Sequence, residues 1–232
     1  MGHGTGIIQY DPNAIQRFPT SRAPYGRILW QADFDYSVEV DATVGTVSIT
    51  TAEGEVIRGR GSLKLQTGAV AGNTAEIWKR IASSAIVGTK NASMAIELLF
   101  GGTNSNTSII QMMIYNYNKN VSPLSGLKWT KSTKQWQYYD SAGNWQNIAG
   151  AVQTILATGS IGNYLKIILD LENKQYRKLR IGSYNYDLSG KDLYLLSGAD
   201  YEVISVEISI ETDAAAAATF TIDDMVVSDM EN

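Results

Sequence analysis

The sequence predicts an all-β chain: a two-sheet antiparallel jelly-roll sandwich preceded by an extended N-terminal arm. Three observations carry that expectation. Short segments rich in Val, Ile, Leu, Thr and Tyr recur at roughly 8–12-residue spacing between clusters of Gly, Asn, Asp and Ser. Many of them alternate with a period of two. Over Val203–Thr212, Ile204, Val206, Ile208 and Ile210 fall on one side, and Val203, Ser205, Glu207, Ser209 and Glu211 on the other, as expected of a strand with one face toward a core and one toward water. Helical periodicity, finally, is nearly absent.

Residues 1–26 differ from the rest. Gly2, Gly4 and Gly6 are followed by Pro12, Pro19 and Pro24, three of the four prolines in the chain, so the segment cannot sustain a ladder or a helix. It reads as an arm, either a tail or a strap laid on a neighbouring subunit. Ile7, Ile8, Tyr10, Ile15 and Phe18 favour the strap, because pure linkers seldom carry that many apolar groups. The stretch MGHGTGIIQYDPNAIQ has neither the basic region nor the apolar run of a signal peptide.

Residues 27–232 form the expected sandwich domain. Strand signals run through Arg27–Tyr36, Thr46–Thr51, Ser62–Thr67, Glu76–Ile81, Ser93–Phe100 and Ser108–Tyr117. A meander follows at Leu127–Thr130, Gln135–Asp140 and Trp145–Ile148, with a turn at Ser141–Asn144. Tyr164–Leu171 turns through Glu172–Lys174 into Gln175–Ile181, and Val203–Thr212 and Thr219–Ser228 close the chain. A short helix is expected near Gly150–Ala157 and a turn near Lys191–Ser197. Asp213–Ala218 is too short for an independent helix and is expected to be a loop.

With 232 residues, 44% of them hydrophobic and 18% charged, the chain can bury a sizeable core as one domain. A net charge of −4 and a pI near 5.1, with no Lys/Arg run, argue against nucleic acid as a partner. No apolar stretch has the length of a membrane-spanning helix. Cysteine is absent, which excludes disulfides and thiolate metal sites. The one histidine, His3, lies in the Gly-rich terminus and leaves little room for imidazole chemistry.

The order of segments resembles the concanavalin A-like and carbohydrate-binding-module jelly rolls. Leu29–Tyr36 (LWQADFDY) resembles their opening strand and Gly59–Leu65 (GRGSLKL) their second. Tyr164–Ile181 resembles a hairpin of that fold, and Phe220–Val227 (FTIDDMVV) its last strand. The resemblance implies a jelly roll and a tendency toward glycan binding or extracellular display, while fold alone does not fix function. It also implies that the first and last strands are neighbours. Asp33, Asp35, Asp223 and Asp224 would then lie close together and could hold a structural calcium, or simply be solvated strand-end carboxylates. No cofactor is required by anything in the sequence.

The densest aromatic cluster is Trp129, Trp136, Tyr138, Tyr139 and Trp145, preceded by Tyr115 and Tyr117. Trp136 and Tyr138 share a strand face and Tyr139 points away. Such rings either fill the sandwich, meet a protein partner or stack on sugars, with Gln135, Gln137, Asp140, Asn144 and Gln146 bonding hydroxyls. Glu207-Ile208-Ser209-Ile210-Glu211 resembles the E-x-D-x-E strand of retaining glycosidases on this fold, where two carboxylates reach one glycosidic bond. Here Ser209 replaces the central Asp and the segment lies near the C-terminus.

The expected function is a non-enzymatic structural or assembly protein on a particle surface, such as a phage capsid decoration or tail component. It would form homo-oligomers or join a larger shell and could also bind glycan. The alternatives are a carbohydrate-binding module of an extracellular or cell-surface protein, and a glycoside hydrolase using Glu207 and Glu211.

Overall fold

The computed structural model describes residues 28–35, 40–52, 56, 60–82, 93–118, 120–155, 163–199 and 202–230. The arm residues Ile7, Ile8, Tyr10, Ile15 and Phe18 lie outside them.

Sixteen strands follow one another: β1 (Ile28–Ala32), β2 (Ala42–Val44), β3 (Thr46–Thr50), β4 (Ser62–Gln66), β5 (Thr74–Ala82), β6 (Ser93–Thr103), β7 (Thr107–Tyr117), β8 (Val121–Thr130), β9 (Gln135–Tyr139), β10 (Trp145–Val152), β11 (Asn163–Asp170), β12 (Gln175–Ile181), β13 (Tyr184–Asp192), β14 (Tyr194–Ser197), β15 (Val203–Thr212) and β16 (Thr219–Met230). They form two antiparallel sheets. The first runs β13-β12-β11-β6-β16-β4-β3, with β1 also on β16; the second runs β10-β9-β8-β7-β15-β5-β2, with β14 also on β8. Among the described residues there is no helix, and so none that could cross a membrane.

The core fills the space between the sheets because alternate side chains of each strand point inward. Met94, Ile96, Leu98 and Phe100 of β6, and Phe220, Ile222, Met225 and Val227 of β16, meet Ile110, Met112 and Ile114 of β7 and Ile204, Val206, Ile208 and Ile210 of β15. Each side chain of this size removed from water stabilises the fold by about 1.5–3 kcal/mol. The inward set of β15 is the one that alternation predicts.

Several elements depart from expectation. The helix expected near Gly150–Ala157 is absent: β10 continues to Val152, with a register shift between Asn147 and Val152 and Gly150 at φ +74°. The turn expected near Lys191–Ser197 is instead the end of β13 and all of β14. The expected loop at 213–218 is a loop. Phe34, just past β1, adopts φ +51°, costly for a bulky residue, and its ring is fully buried. Gly61 faces this kink. A Cβ there would stand 2.8 Å from the Ile49 side chain and within 3.2 Å of the Phe34 and Asp35 carbonyl oxygens.

Candidate functional site

The aromatic cluster divides between the two faces of the second sheet. Trp129 and Trp136 are Cα partners on β8 and β9, only 3% and 2% exposed, and both belong to the core. Trp129 Nε1 donates to the Gln153 carbonyl at 2.9 Å. Tyr138 packs on the same core, edge-on to Tyr176 at 5.5 Å between ring centres. Trp136 and Tyr138 do share a face, but that face is the interior. Burial removes Trp129 and Trp136 from any direct contact with a ligand or partner and leaves Tyr138 a packing residue.

Tyr139 and Trp145 point the other way. They are Cα partners, half-buried, with ring centres 5.1 Å apart. Tyr194, on β14, joins them edge-on at 5.6 Å from Tyr139. The ammonium of Lys128 stands 4.5 Å over the Trp145 ring, within the range of a cation–π contact. Gly126 makes room for this arrangement: a Cβ there would lie 2.6 Å from Met113 Sδ and 2.9 Å from Trp145 Cη2.

The turn between Tyr139 and Trp145 is held by Asp140. Its Oδ1 accepts the N–H groups of Ala142 (3.0 Å) and Asn144 (2.8 Å), and its Oδ2 accepts Gln146 Nε2 at 2.8 Å. These bonds, that from Asn144 foremost, hold the Asp140 carboxyl below the usual aspartate range. Asp140, Asn144 and Gln146 thus build the turn that sets the two rings side by side. Gln135 is likewise occupied, its amide donating to the Trp136 and Ile148 carbonyls.

Cross-strand pairing extends the site over the whole outer face. Side chains directly opposite each other share a face. One row therefore runs Trp78, Glu207, Met113 and Gly126, and one further step across β8 and β9 brings Tyr139 and Trp145. Beside it runs a polar row of Glu76, Ser209, Gln111, Lys128, Gln137 and Asn147. At inter-strand spacings of ~4.8 Å, six strands give each row a length of about 24 Å.

At the β5–β15–β7 end, Trp78 and Tyr115 stack at 6.0 Å, and Tyr115 and Tyr117 at 5.5 Å. The rings flank Glu207, which is 8% exposed and whose Oε2 accepts the Tyr115 hydroxyl at 3.3 Å. Burial, reinforced by the Glu76 charge, pushes the Glu207 carboxyl above the usual glutamate range. Burial and the Glu207 charge likewise raise the Tyr115 hydroxyl far above its ordinary value, so Tyr115 acts as a hydrogen-bond donor. Glu211 lies on the same face of β15, opposite Thr74 and Ile109.

The four aspartates do not form one donor set. β1 does pair with β16, Ala32 opposite Met225, as the resemblance implied. Asp35 Oδ1, however, accepts the N–H groups of Arg60 (2.6 Å) and Gly61 (3.2 Å). Asp223 Oδ1 accepts the Ser62 hydroxyl at 2.7 Å, and Asp33 Oδ1 takes the Asp35 N–H at 3.3 Å. Among the described residues no three His, Cys, Asp or Glu side chains are placed to hold a metal ion together. Asp33, Asp35, Asp223 and Asp224 are thus not gathered into one such group. Asp35 and Asp223 brace the chain around the strand ends.

Trp78, Lys128 and Tyr194 were not singled out from the sequence. Alternation in Glu76–Ile81 and Leu127–Thr130 puts the first two on a polar face, but only the strand order shows that this is the face of Tyr139 and Trp145.

No protein-family model and no curated protein matches the chain. Solved structures do. A conserved carbohydrate esterase from Shiga toxin-encoding bacteriophage phi24B aligns with a TM-score of 0.55 at 11% identity, over 89% of this chain and 100% of that one. An endo-β-1,4-glucuronan lyase from the fungus Trichoderma reesei gives 0.55 at 9% identity, over 88% and 96%. The lectin UEA-II, solved with galactose, gives 0.51 at 10% identity, over 88% and 100%. At these identities the likeness is one of fold: the chain is a two-sheet jelly-roll sandwich.

Proposed function

We propose that this protein is a glycan-binding domain that takes a carbohydrate chain across the outer face of its second sheet, on the platform of Tyr139, Trp145 and Tyr194. The observation that carries this reading is the placement of three half-buried aromatic rings on an outward face, Tyr139 touching both Trp145 and Tyr194, beside the polar row Gln111, Lys128, Gln137 and Asn147. Aromatic rings offer sugars a flat apolar surface for their C–H faces, and flanking amides bond hydroxyls. The lectin solved with galactose, the glucuronan lyase and the carbohydrate esterase share the frame. At such low identity that frame is only a background, and the residues of this face carry the argument.

Affinity electrophoresis against a panel of polysaccharides tests it. Retention on at least one polymer is expected. Trp145→Ala should weaken it by about 1–3 kcal/mol, as loss of a stacking hot spot does, with the thermal midpoint little changed. Trp136→Ala should act differently, destabilising the fold by roughly 3–5 kcal/mol through a core cavity. No retention on the panel, or retention indifferent to Trp145→Ala, would refute the reading.

The finer reading is that the domain is displayed on a particle surface, as a capsid decoration or tail component, without catalysis of its own. It rests on the apolar residues of the arm, Ile7, Ile8, Tyr10, Ile15 and Phe18, and on a sequence with no residue set for nucleophilic or metal-assisted chemistry.

A further inference from the structure

Among the described residues, nothing neutralises the charge of Lys128 at close range. It projects from the outer face of β8, half-buried, between Gln111 on β7 and Gln137 on β9. Among the described residues no carboxylate forms an ion pair with it. Its ammonium stands over the Trp145 ring instead. Burial holds its pKa below the ordinary lysine value, opposed by the Glu211 charge acting from farther along the face. A partly desolvated ammonium without a counter-ion gains most from an anion that replaces its lost hydration.

The surroundings suit an anion on a sugar. Gln137 Nε2 already donates to Asn147 Oδ1 at 3.0 Å, so these two amides are mutually oriented beside the ammonium. Glu76, Glu207 and Glu211 stand on the β5–β15 half of the same face, with Arg80 opposite Ser205 at its far edge. The acidic side chains of that half outnumber its one arginine and favour an anionic substituent at the β8–β10 half, where Lys128 and Trp145 stand. The net charge of the chain is −4, so a general electrostatic attraction is not available and recognition must be local.

We propose that the glycan bound on this face is acidic, with a carboxylate or sulfate group meeting the Lys128 ammonium while its ring lies against Trp145 and Tyr139. The inference rests on the glycan-binding reading and names its ligand class. Lys128 would then separate charged polymers from neutral ones, and Trp145 would contribute equally to both.

The experiment compares dissociation constants for polygalacturonate and its carboxyl-reduced counterpart, and for dextran sulfate and dextran. The wild-type protein, Lys128→Gln and Lys128→Arg are measured side by side, with thermal midpoints confirming folding. The charged member of at least one pair should bind about tenfold tighter than its neutral partner, the scale of one charge-assisted contact. Lys128→Gln should remove that difference and Lys128→Arg keep it. The pair that shows the preference tells carboxylate from sulfate. Equal affinity for charged and neutral members, or equal weakening of both by Lys128→Gln, would overturn the acidic ligand and reduce Lys128 to a prop for Trp145. Either result leaves Trp145-dependent glycan binding standing. Absence of binding to every polymer of the wider panel removes both readings together.

Discussion

At Glu207 the fold places a carboxyl where water hardly reaches it, under the rings of Trp78 and Tyr115 and near the Glu76 charge. Burial first, then Glu76, raises its pKa, and the Tyr115 hydroxyl bond offsets the rise only in part. The folded protein therefore holds this proton at pH values where the unfolded chain has released it. Between the ordinary glutamate value and the raised one, the native state binds more protons than the unfolded state, so stability falls as pH rises. Glu207→Gln takes away that proton and its slope. The thermal midpoint of the variant, relative to wild type, should climb from about pH 4 toward neutrality, over the range above the ordinary glutamate pKa; parallel pH curves would disprove the burial penalty. The sequence places Glu207 on the outward side of β15 but gives no hint of its burial. That depends on Trp78 and Tyr115, which reach it from β5 and β7 across the sheet.

Among the elements, β12 does more than add a strand to the first sheet. Its Tyr176 crosses the core, fully buried. The Tyr176 hydroxyl accepts the Gly126 N–H at 2.8 Å and donates to the Tyr139 carbonyl at 2.8 Å. The β8–β9 register ends at Leu127 opposite Tyr138, and β14 takes up the same edge of β8 with Tyr194 opposite Leu124. The phenol bridges the gap between them, bonded to the backbone of Tyr139 from the core side. Tyr176→Phe leaves a buried N–H and a buried carbonyl short of a partner and should lower unfolding free energy by about 1–3 kcal/mol. Urea denaturation measures it, and faster amide exchange at Gly126 should accompany it; unchanged stability would mean that the bridge is replaceable. Strands rich in apolar residues at alternate positions, β6, β11 and β15 among them, were legible from sequence. The tail of β10 was not, because Gly150 and the irregular register put Ile148, Ala151 and Ile155 inward at spacings of three and four, which imitates a helix. β13 escaped notice because its only inward-packed positions are Tyr186 and Leu188, and β14 because four residues hold too little pattern.

For the molecule as a whole, alternation establishes that each strand has two faces but not which face meets the other sheet. That is why the jelly-roll sandwich could be read from the sequence while Trp129 and Trp136 could not be told from Tyr139 and Trp145. The deciding information is long-range pairing, and the last strand holds much of it. β16 lies inside the first sheet, with β6 on one side and β4 and β1 on the other; Ser228 pairs with Ile28 and Thr219 with Gln66. Phe220, Ile222, Met225 and Val227 are each at most 1% exposed. A sheet centred on β16 cannot complete its core until that strand is present, and such non-local β folds form in milliseconds to seconds rather than microseconds. A chain ending at Ala218 should therefore lack the β-sheet circular-dichroism signal and be digested rapidly by protease. A chain beginning at Arg27 retains all these core positions and should keep the signal. If the arm joins subunits, this second truncation should also turn an oligomer into a monomer by sedimentation. A folded product from the C-terminal truncation would contradict the role given to β16, and a full-length chain that is already monomeric would remove the arm from assembly.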